Sequence, residues 1–165
     1  ITDMFLTHLH FDHCGGSIQW NKDKTGYEPA VKNAKYWTNE NHWEWATKPN
    51  DRERASFLKE NIVPIKESGQ LQFITVTEND IGETTTTPLS KNFSVKTANG
   101  HTRAMMLPVI KYNDKTIVYM ADLLPSVAHI PLPYVMGYDM FPLTTLNEKK
   151  IFLIEALENN YNLFY

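Results

Sequence analysis

The sequence has 165 residues, a formal net charge of -3, 42% hydrophobic residues and 21% charged residues. This composition is typical of soluble globular proteins. The chain is long enough to form one domain with a buried core. It lacks the basic excess expected for nucleic-acid binding and any apolar run near the ~20 residues of a membrane helix. We therefore expect neither nucleic acid nor a membrane as a partner.

Cysteine usage bears on the compartment. Cys14 is the only cysteine, so the chain forms no internal disulfide, which is compatible with a reducing environment. We expect a cytoplasmic protein, although a signal peptide upstream of Ile1 would not be visible in this sequence. A homodimer is left open as an alternative to a monomer.

The first half of the chain predicts short strands and helices in alternation. Residues 21–29 form a polar stretch with Gly and Pro, which is typical of a loop. We expect strands over residues 3–7, 35–37 and 71–76, helices over residues 15–20 and 51–60, and a short helix through Trp45 capped by Asn39 or Asn41.

The second half predicts more strands and one long helix. Residues 82–88 favour a connection or an edge strand, and residues 93–97 alternate as a strand does. Two apolar runs, 105–110 and 116–120, flank a hairpin turn. Thr145 and Glu148 fit a capping box that opens a helix, and residues 162–165 begin another strand. The apolar face of that helix is expected to contain Leu146, Ile151, Phe152, Ile154 and Leu157. The alternation predicts an α/β fold in a single domain over residues 1–165.

A cluster of potential metal ligands lies near the start of the chain. His8, His10, Asp12 and His13 fall within six positions, followed by a Gly-Gly pair that suits a sharp turn. Zinc favours imidazole nitrogen and carboxylate oxygen. His8 and His10 point to the same side of an extended segment. The spacing therefore predicts two ligand sets directed at one hollow, as a two-metal site requires.

The segment His8-Leu9-His10-Phe11-Asp12-His13 resembles the HxHxDH signature of the metallo-β-lactamase superfamily. Asn99-Gly100-His101-Thr102 is similar to that family's Gly-His-Thr element. Met120-Ala121-Asp122 resembles its aspartate at a strand end, with Ala121 where the family usually has Gly. Among the family's branches, the sequence looks nearest to lactonase-like and organophosphate-hydrolase-like members.

The resemblance implies a fold and a ligand set. The fold is the metallo-β-lactamase-type αβ/βα sandwich, here with its N-terminal strands and C-terminal end missing. We expect two zinc ions, with iron or manganese as alternatives, and catalytic roles for Asp12 and Asp122. The implied ligands are His8, His10 and His101 for one ion, Asp12 and His13 for the other, and Asp122 bridging both.

The resemblance also implies an activity. The expected protein is a zinc-dependent hydrolase in which a metal-bridging hydroxide attacks small ester, lactone or phosphotriester substrates. The alternatives are an iron-dependent redox or sulfur-oxygenating member of the same fold, and a catalytically impaired fragment. A nucleic-acid-processing member is disfavoured by the lack of basic stripes, and a non-catalytic binding module by the intact ligand series. Ser17 and Cys14 have no evident partner base, and Cys14 is expected to be a small buried residue.

Three further residues are candidates for contacting substrate. His129 and Tyr134 lie in a proline-rich stretch after Asp122 that could overhang the metal groove, although a surface-loop role for His129 is equally compatible. Trp37 belongs to an aromatic group, residues 36–45, that could form an apolar wall, although packing against helices is the commoner role of such residues.

The final expectation concerns completeness. The implied fold has strands before the first metal motif and a last histidine on a strand after the long helix. We therefore expect a partial sequence whose parent carries that histidine within a few residues of Tyr165. The 165-residue chain should bind one metal ion more firmly than a second and have low activity and marginal stability. His129 and His42 are the candidates to complete a two-metal site in this chain.

Overall fold

A computed structural model describes residues 1–77 and 81–165. These residues divide into two compact units, Ile1–Ile74 and Thr75–Tyr165, and each has its own sheet and hydrophobic core. Among the described residues, no helix is both long and apolar enough to cross a lipid bilayer.

The first unit is built on a small parallel sheet with the strand order β1-β4-β5. A separate antiparallel pair joins β2 to β3. Its main core side chains include Leu6, Leu9, Tyr36, Ile62 and Ile65. In chain order the elements are β1 (Asp3–Phe5), α1 (Phe11–Cys14), β2 (Ile18–Trp20), β3 (Tyr27–Pro29), β4 (Lys35–Thr38), α2 (Glu40–Thr47), α3 (Lys59–Glu67) and β5 (Leu71–Phe73).

The three strands predicted in this unit are confirmed, and so is the short helix α2. Asn39 is its N-cap, because its side chain accepts a hydrogen bond from the backbone N–H of His42. The predicted helix over residues 15–20 is wrong: a single 3₁₀ turn is followed directly by β2. There Trp20 pairs across the strands with Tyr27, and the two rings stack 4.2 Å apart, a contact that a helix would not allow.

The predicted helix over residues 51–60 is also wrong, since α3 begins only at Lys59. The side-chain oxygen of Asn50 accepts hydrogen bonds from the backbone N–H groups of Arg52 and Glu53. These bonds open a turn at residues 51–53, and a short 3₁₀ turn, Arg54–Ser56, follows it and ends at the extended Phe57 before α3 begins. The result is a tight turn that directs the Glu53 side chain into the unit.

The second unit contains a five-stranded sheet with the order β10-β9-β8-β7-β6. β6 and β10 are its two edge strands, and β10 pairs with β9 in parallel after a crossover through α4. The β8–β9 hairpin turns at Asn113, whose φ of 53° suits an asparagine. The elements are β6 (Thr85–Ser90), β7 (Phe93–Ala98), β8 (Met105–Tyr112), β9 (Lys115–Tyr119), α4 (Pro142–Glu158) and β10 (Asn162–Phe164). The strands predicted in this half are therefore confirmed, with β6 as an edge strand.

The long helix α4 differs from its prediction in two ways. It begins at Pro142, a favoured residue in the first turn, so Thr145 and Glu148 do not form a capping box at its start. Of the five residues of the predicted apolar face, only Phe152 is buried, and Leu157 is 81% exposed. The buried side instead carries polar residues that find partners. Lys149, for example, donates from Nζ to the carbonyls of Pro131, Leu132 and Tyr134.

Candidate functional site

The histidine motif lies in the first unit, where the chain leaves β1 and enters α1. His8 and His10 are buried in the extended segment between these elements, and His10 is the N-cap residue of α1. Cys14, at the end of α1, donates from Sγ to the carbonyl of Leu9 at 3.3 Å. Burial raises the pKa of the Cys14 thiol to about 12, so it is not a nucleophile at neutral pH.

Three imidazole rings of the motif cluster together. The ring centroids of His8 and His10 are 4.7 Å apart, and those of His8 and His13 are 4.0 Å apart. Neutral imidazole nitrogens are good ligands for zinc and other divalent metals. The donor chemistry of this cluster therefore fits a metal ion.

Neighbouring side chains hold these rings in place. The hydroxyl of Thr7 lies 3.1 Å from His8 Nδ1, and His10 Nε2 lies 2.9 Å from a carboxylate oxygen of the buried Glu53. His42 supports the backbone between the two, because its Nε2 accepts a hydrogen bond of 2.8 Å from Leu9 N–H. In the first unit, His42 therefore serves the backbone of the motif.

Asp12 and His13 lie on α1 itself. The Asp12 side chain is 59% exposed, and its Oδ2 is 3.5 Å from His13 Nε2. Of the motif's polar residues, Asp12 is thus the one that is open to solvent.

In the second unit, His101 lies between two carboxylates. Its Nε2 is 3.2 Å from Asp122 Oδ2, and its Nδ1 is 3.0 Å from Asp139 Oδ1. His101 and Asp139 are buried, and Asp122 is partly exposed. A histidine oriented on one nitrogen by a carboxylate, with its other nitrogen beside a second carboxylate, is typical of metal sites.

The loop that contains His101 is hydrogen-bonded to α4. One Glu148 oxygen accepts from the backbone N–H of Asn99 at 2.6 Å, and the other accepts from that of Gly100 at 3.0 Å. Burial raises the pKa of Glu148 to about 7, although these two hydrogen bonds act in the opposite direction. Gly100 packs so closely on Thr145 that a side chain at this position would overlap its backbone.

Asp122 follows β9 through a strained residue. Ala121 has a φ of 40°, in the left-handed region where an alanine costs roughly 1–2 kcal/mol relative to the usual conformations. A glycine adopts this conformation without that cost. This explains why the metallo-β-lactamase motif usually has a glycine before its aspartate. In this chain Ala121 occupies that position in a strained backbone conformation.

The three predicted substrate contacts have different environments. His129 ends a single 3₁₀ turn and bonds Ser126 through Nδ1 at 2.9 Å. Tyr134 is exposed. Trp37 is buried on β4, with its indole N–H donating to Asp3 at 2.7 Å. Their contact with substrate stays a prediction.

Sequence analysis missed Glu53, Asp139 and Glu148. Each bonds a residue of the candidate site from a distance in sequence: 43 residues to His10, 38 to His101, and 48 to Gly100, respectively. Glu53 and Asp139 lie in no recognisable motif, and the sequence singled out Glu148 only for a capping box, so no local signal identified these contacts.

The family model of the metallo-β-lactamase superfamily matches residues 1–154. A search of curated proteins found no match. Among solved structures, a probable metal-dependent hydrolase from Staphylococcus aureus matches with a TM-score of 0.83 and 22% identity, over 100% of this chain and 54% of that one.

Two other solved structures extend the comparison. AidC, described as a dizinc quorum-quenching lactonase, matches with a TM-score of 0.77 and 20% identity over 99% of this chain and 56% of its own. The hydrolase AbOPH matches with a TM-score of 0.73 and 19% identity over 99% of this chain and 55% of its own. These likenesses confirm the predicted α/β fold of the metallo-β-lactamase type. The chain spans about half the length of these structures.

Proposed function

Because the chain belongs to the metallo-β-lactamase superfamily, we propose that its parent protein is a metal-dependent hydrolase of small esters, lactones or phosphotriesters. The observation that carries the proposal is the cluster of imidazoles in the first unit, where His8 lies against both His10 and His13. Packing alone does not explain three adjacent polar rings, two of them buried.

The proposed ligands are those expected from the sequence. They are His8, His10, Asp12, His13, His101 and Asp122. Two zinc ions are proposed, with iron or manganese as alternatives. When bound, ions of this kind supply Lewis acidity and activate water at neutral pH.

The chain's own residues have distinct proposed roles. Glu53 bonds Nε2 of His10 and Asp139 bonds Nδ1 of His101, so each carboxylate is proposed to orient the ring of a ligand. Asp122 places a carboxylate against His101 and is the proposed bridging ligand. Asp12, which is exposed, is proposed to bind metal and to accept a proton during turnover.

We expect His10→Ala to weaken zinc binding at least tenfold, because it removes one ring of the cluster while the core of the first unit stays intact. Elemental analysis after dialysis, with circular dichroism as a check on folding, measures the effect. Gln19→Ala, at an exposed position of β2 in the same unit, is the control and should keep the wild-type zinc content. Equal zinc content in wild type and His10→Ala would contradict the ligand assignment.

We expect Asp122→Asn to lose zinc to a chelator about tenfold faster than the wild type. An amide has no negative charge to offer a cation, whereas a bridging carboxylate contacts both ions. The measurement is the rate of zinc transfer to a chromophoric chelator in stopped flow. If Asp122 is an ordinary turn residue, the two rates will be the same.

Two measurements on the same protein test the reaction class: identification of its bound metals and an assay of its substrates. A panel of a lactone, an aryl ester and a phosphotriester separates the proposed substrates. Iron as the bound metal, together with oxygen consumption by the protein, would replace this proposal with the iron-dependent redox or sulfur-oxygenating alternative. A cytoplasmic location, a homodimer and the small-molecule partner stay predictions.

A further inference from the structure

A buried carboxylate bridges two side chains of the first unit. Glu53 is 3% exposed, and its Oε1 lies 2.9 Å from His10 Nε2. Its Oε2 accepts a hydrogen bond of 2.6 Å from the indole Nε1–H of Trp45. Asn50 fixes the turn below it by accepting from the Glu53 backbone N–H at 3.1 Å.

This chain of hydrogen bonds has a direction. The indole N–H of Trp45 can only donate, and both oxygens of an ionised carboxylate can only accept. When the Glu53 carboxylate is ionised, His10 therefore donates from Nε2, and the lone pair of a neutral imidazole then lies on Nδ1. The Phe57 ring, with its centroid 4.8 Å from that of His10, packs against the imidazole and limits its rotation.

We propose that Glu53 is a positioning residue that holds His10 in the tautomer offering Nδ1 as a metal ligand, and that Trp45 holds Glu53 in the orientation this requires. The proposal rests on the assignment of His10 as a ligand in the proposed function. Carboxylates that bond the far nitrogen of a ligating histidine fix its tautomer and raise its basicity.

Glu53→Gln tests the proposal because glutamine has nearly the same shape as glutamate, but one of its two acceptor oxygens is replaced by an NH₂ donor. If the amide oxygen faces Trp45, the amide N–H₂ faces His10 Nε2 and requires the hydrogen to move to Nδ1. If the amide is turned round, its N–H₂ opposes the indole N–H. We expect zinc affinity to fall about 10–100-fold, the range typical of such outer partners.

A second substitution distinguishes loss of His10 positioning from a general loss of structure in Glu53→Gln. Trp45→Phe removes the closer of the two donors to Glu53 Oε2, since the Asn50 amide nitrogen is 3.5 Å away. In the double variant Trp45→Phe/Glu53→Gln the amide oxygen is therefore able to accept from His10 Nε2. We expect the double variant to bind zinc several-fold more tightly than Glu53→Gln alone. Independent structural damage would make it weaker than either single variant.

Glu44→Gln is the matched control, because it removes one glutamate charge from an exposed position on α2. Its zinc affinity should equal that of the wild type. Affinities are measured with Zn²⁺ alone in competition with a chromophoric chelator, using the 165-residue chain.

A second readout does not depend on bound metal. Nitrogen chemical shifts of the His10 ring in the metal-free protein report which nitrogen carries the hydrogen. The wild type should carry it on Nε2, and finding it on Nδ1 would overturn the proposal even if Glu53→Gln fails to fold.

The outcomes distinguish this proposal from the one on which it rests. A wild-type chain that binds no zinc would overturn the proposed function. A wild type that binds zinc, with equal affinity and the same tautomer in Glu53→Gln, would overturn only the role of Glu53.

Discussion

Gly100→Ala is expected to lower the free energy of unfolding of the metal-free chain by about 3 kcal/mol. A methyl group at this position would overlap the backbone nitrogen and the hydroxyl of Thr145, at the start of α4. Relieving such an overlap in a packed region typically costs ~1–3 kcal/mol. Separating the loop from α4 would also stretch the two hydrogen bonds to Glu148, each worth about 1 kcal/mol or more.

Urea denaturation followed by circular dichroism measures this effect. Gly137→Ala is the control within the same unit, because a side chain there would meet nothing within 4 Å. It should change the free energy of unfolding by no more than about 0.5 kcal/mol. Equal stability of the two variants would show that the contact between the His101 loop and α4 is not formed.

Glu148 should make the stability of the metal-free chain fall as the pH rises from about 4.5 to above 7. Burial raises its pKa from an ordinary 4.5 to about 7 in the folded state. The folded chain therefore binds more protons than the unfolded chain between these values, and stability is lost on ionisation. The difference corresponds to about 3 kcal/mol between full protonation and full ionisation.

The effect is isolated by comparing the wild type with Glu148→Gln at several pH values. The variant cannot ionise, so the difference between their free energies of unfolding should change by about 3 kcal/mol over this range. Glu158→Gln removes an exposed glutamate from the other end of α4 and should follow the wild type. Parallel profiles for wild type and Glu148→Gln would mean that burial does not penalise this carboxylate.

Sequence patterns predicted much of the secondary structure of the second unit. β7 alternates, and β8 and β9 are apolar runs on either side of an asparagine turn, so local composition was enough to identify them. The predictions were wrong where the pattern of neighbouring residues favoured one structure and a contact with residues distant in sequence imposed another. β2 was assigned to a helix because its pairing with β3 is not visible in its own residues.

The helix α4 illustrates the same limit. Its apolar residues suggested one buried face, but the unit buries the face with Glu148 and Lys149. Burying polar side chains is costly unless they are hydrogen-bonded. Their partners, the backbone of Asn99 and Gly100 and the carbonyls of residues 131–134, are supplied only by the folded chain.

The sequence by itself determined the family and the candidate metal ligands. Ligand spacing within six residues is a local property, and His8 and His10 meet as that spacing predicts. Only the tertiary structure decided which carboxylates support these rings. Glu53 and Asp139 reach His10 and His101 from 43 and 38 residues away. The physical reason is that a hydrogen bond requires two atoms to lie about 3 Å apart, and for residues so distant in sequence this proximity is set by the packing of whole elements.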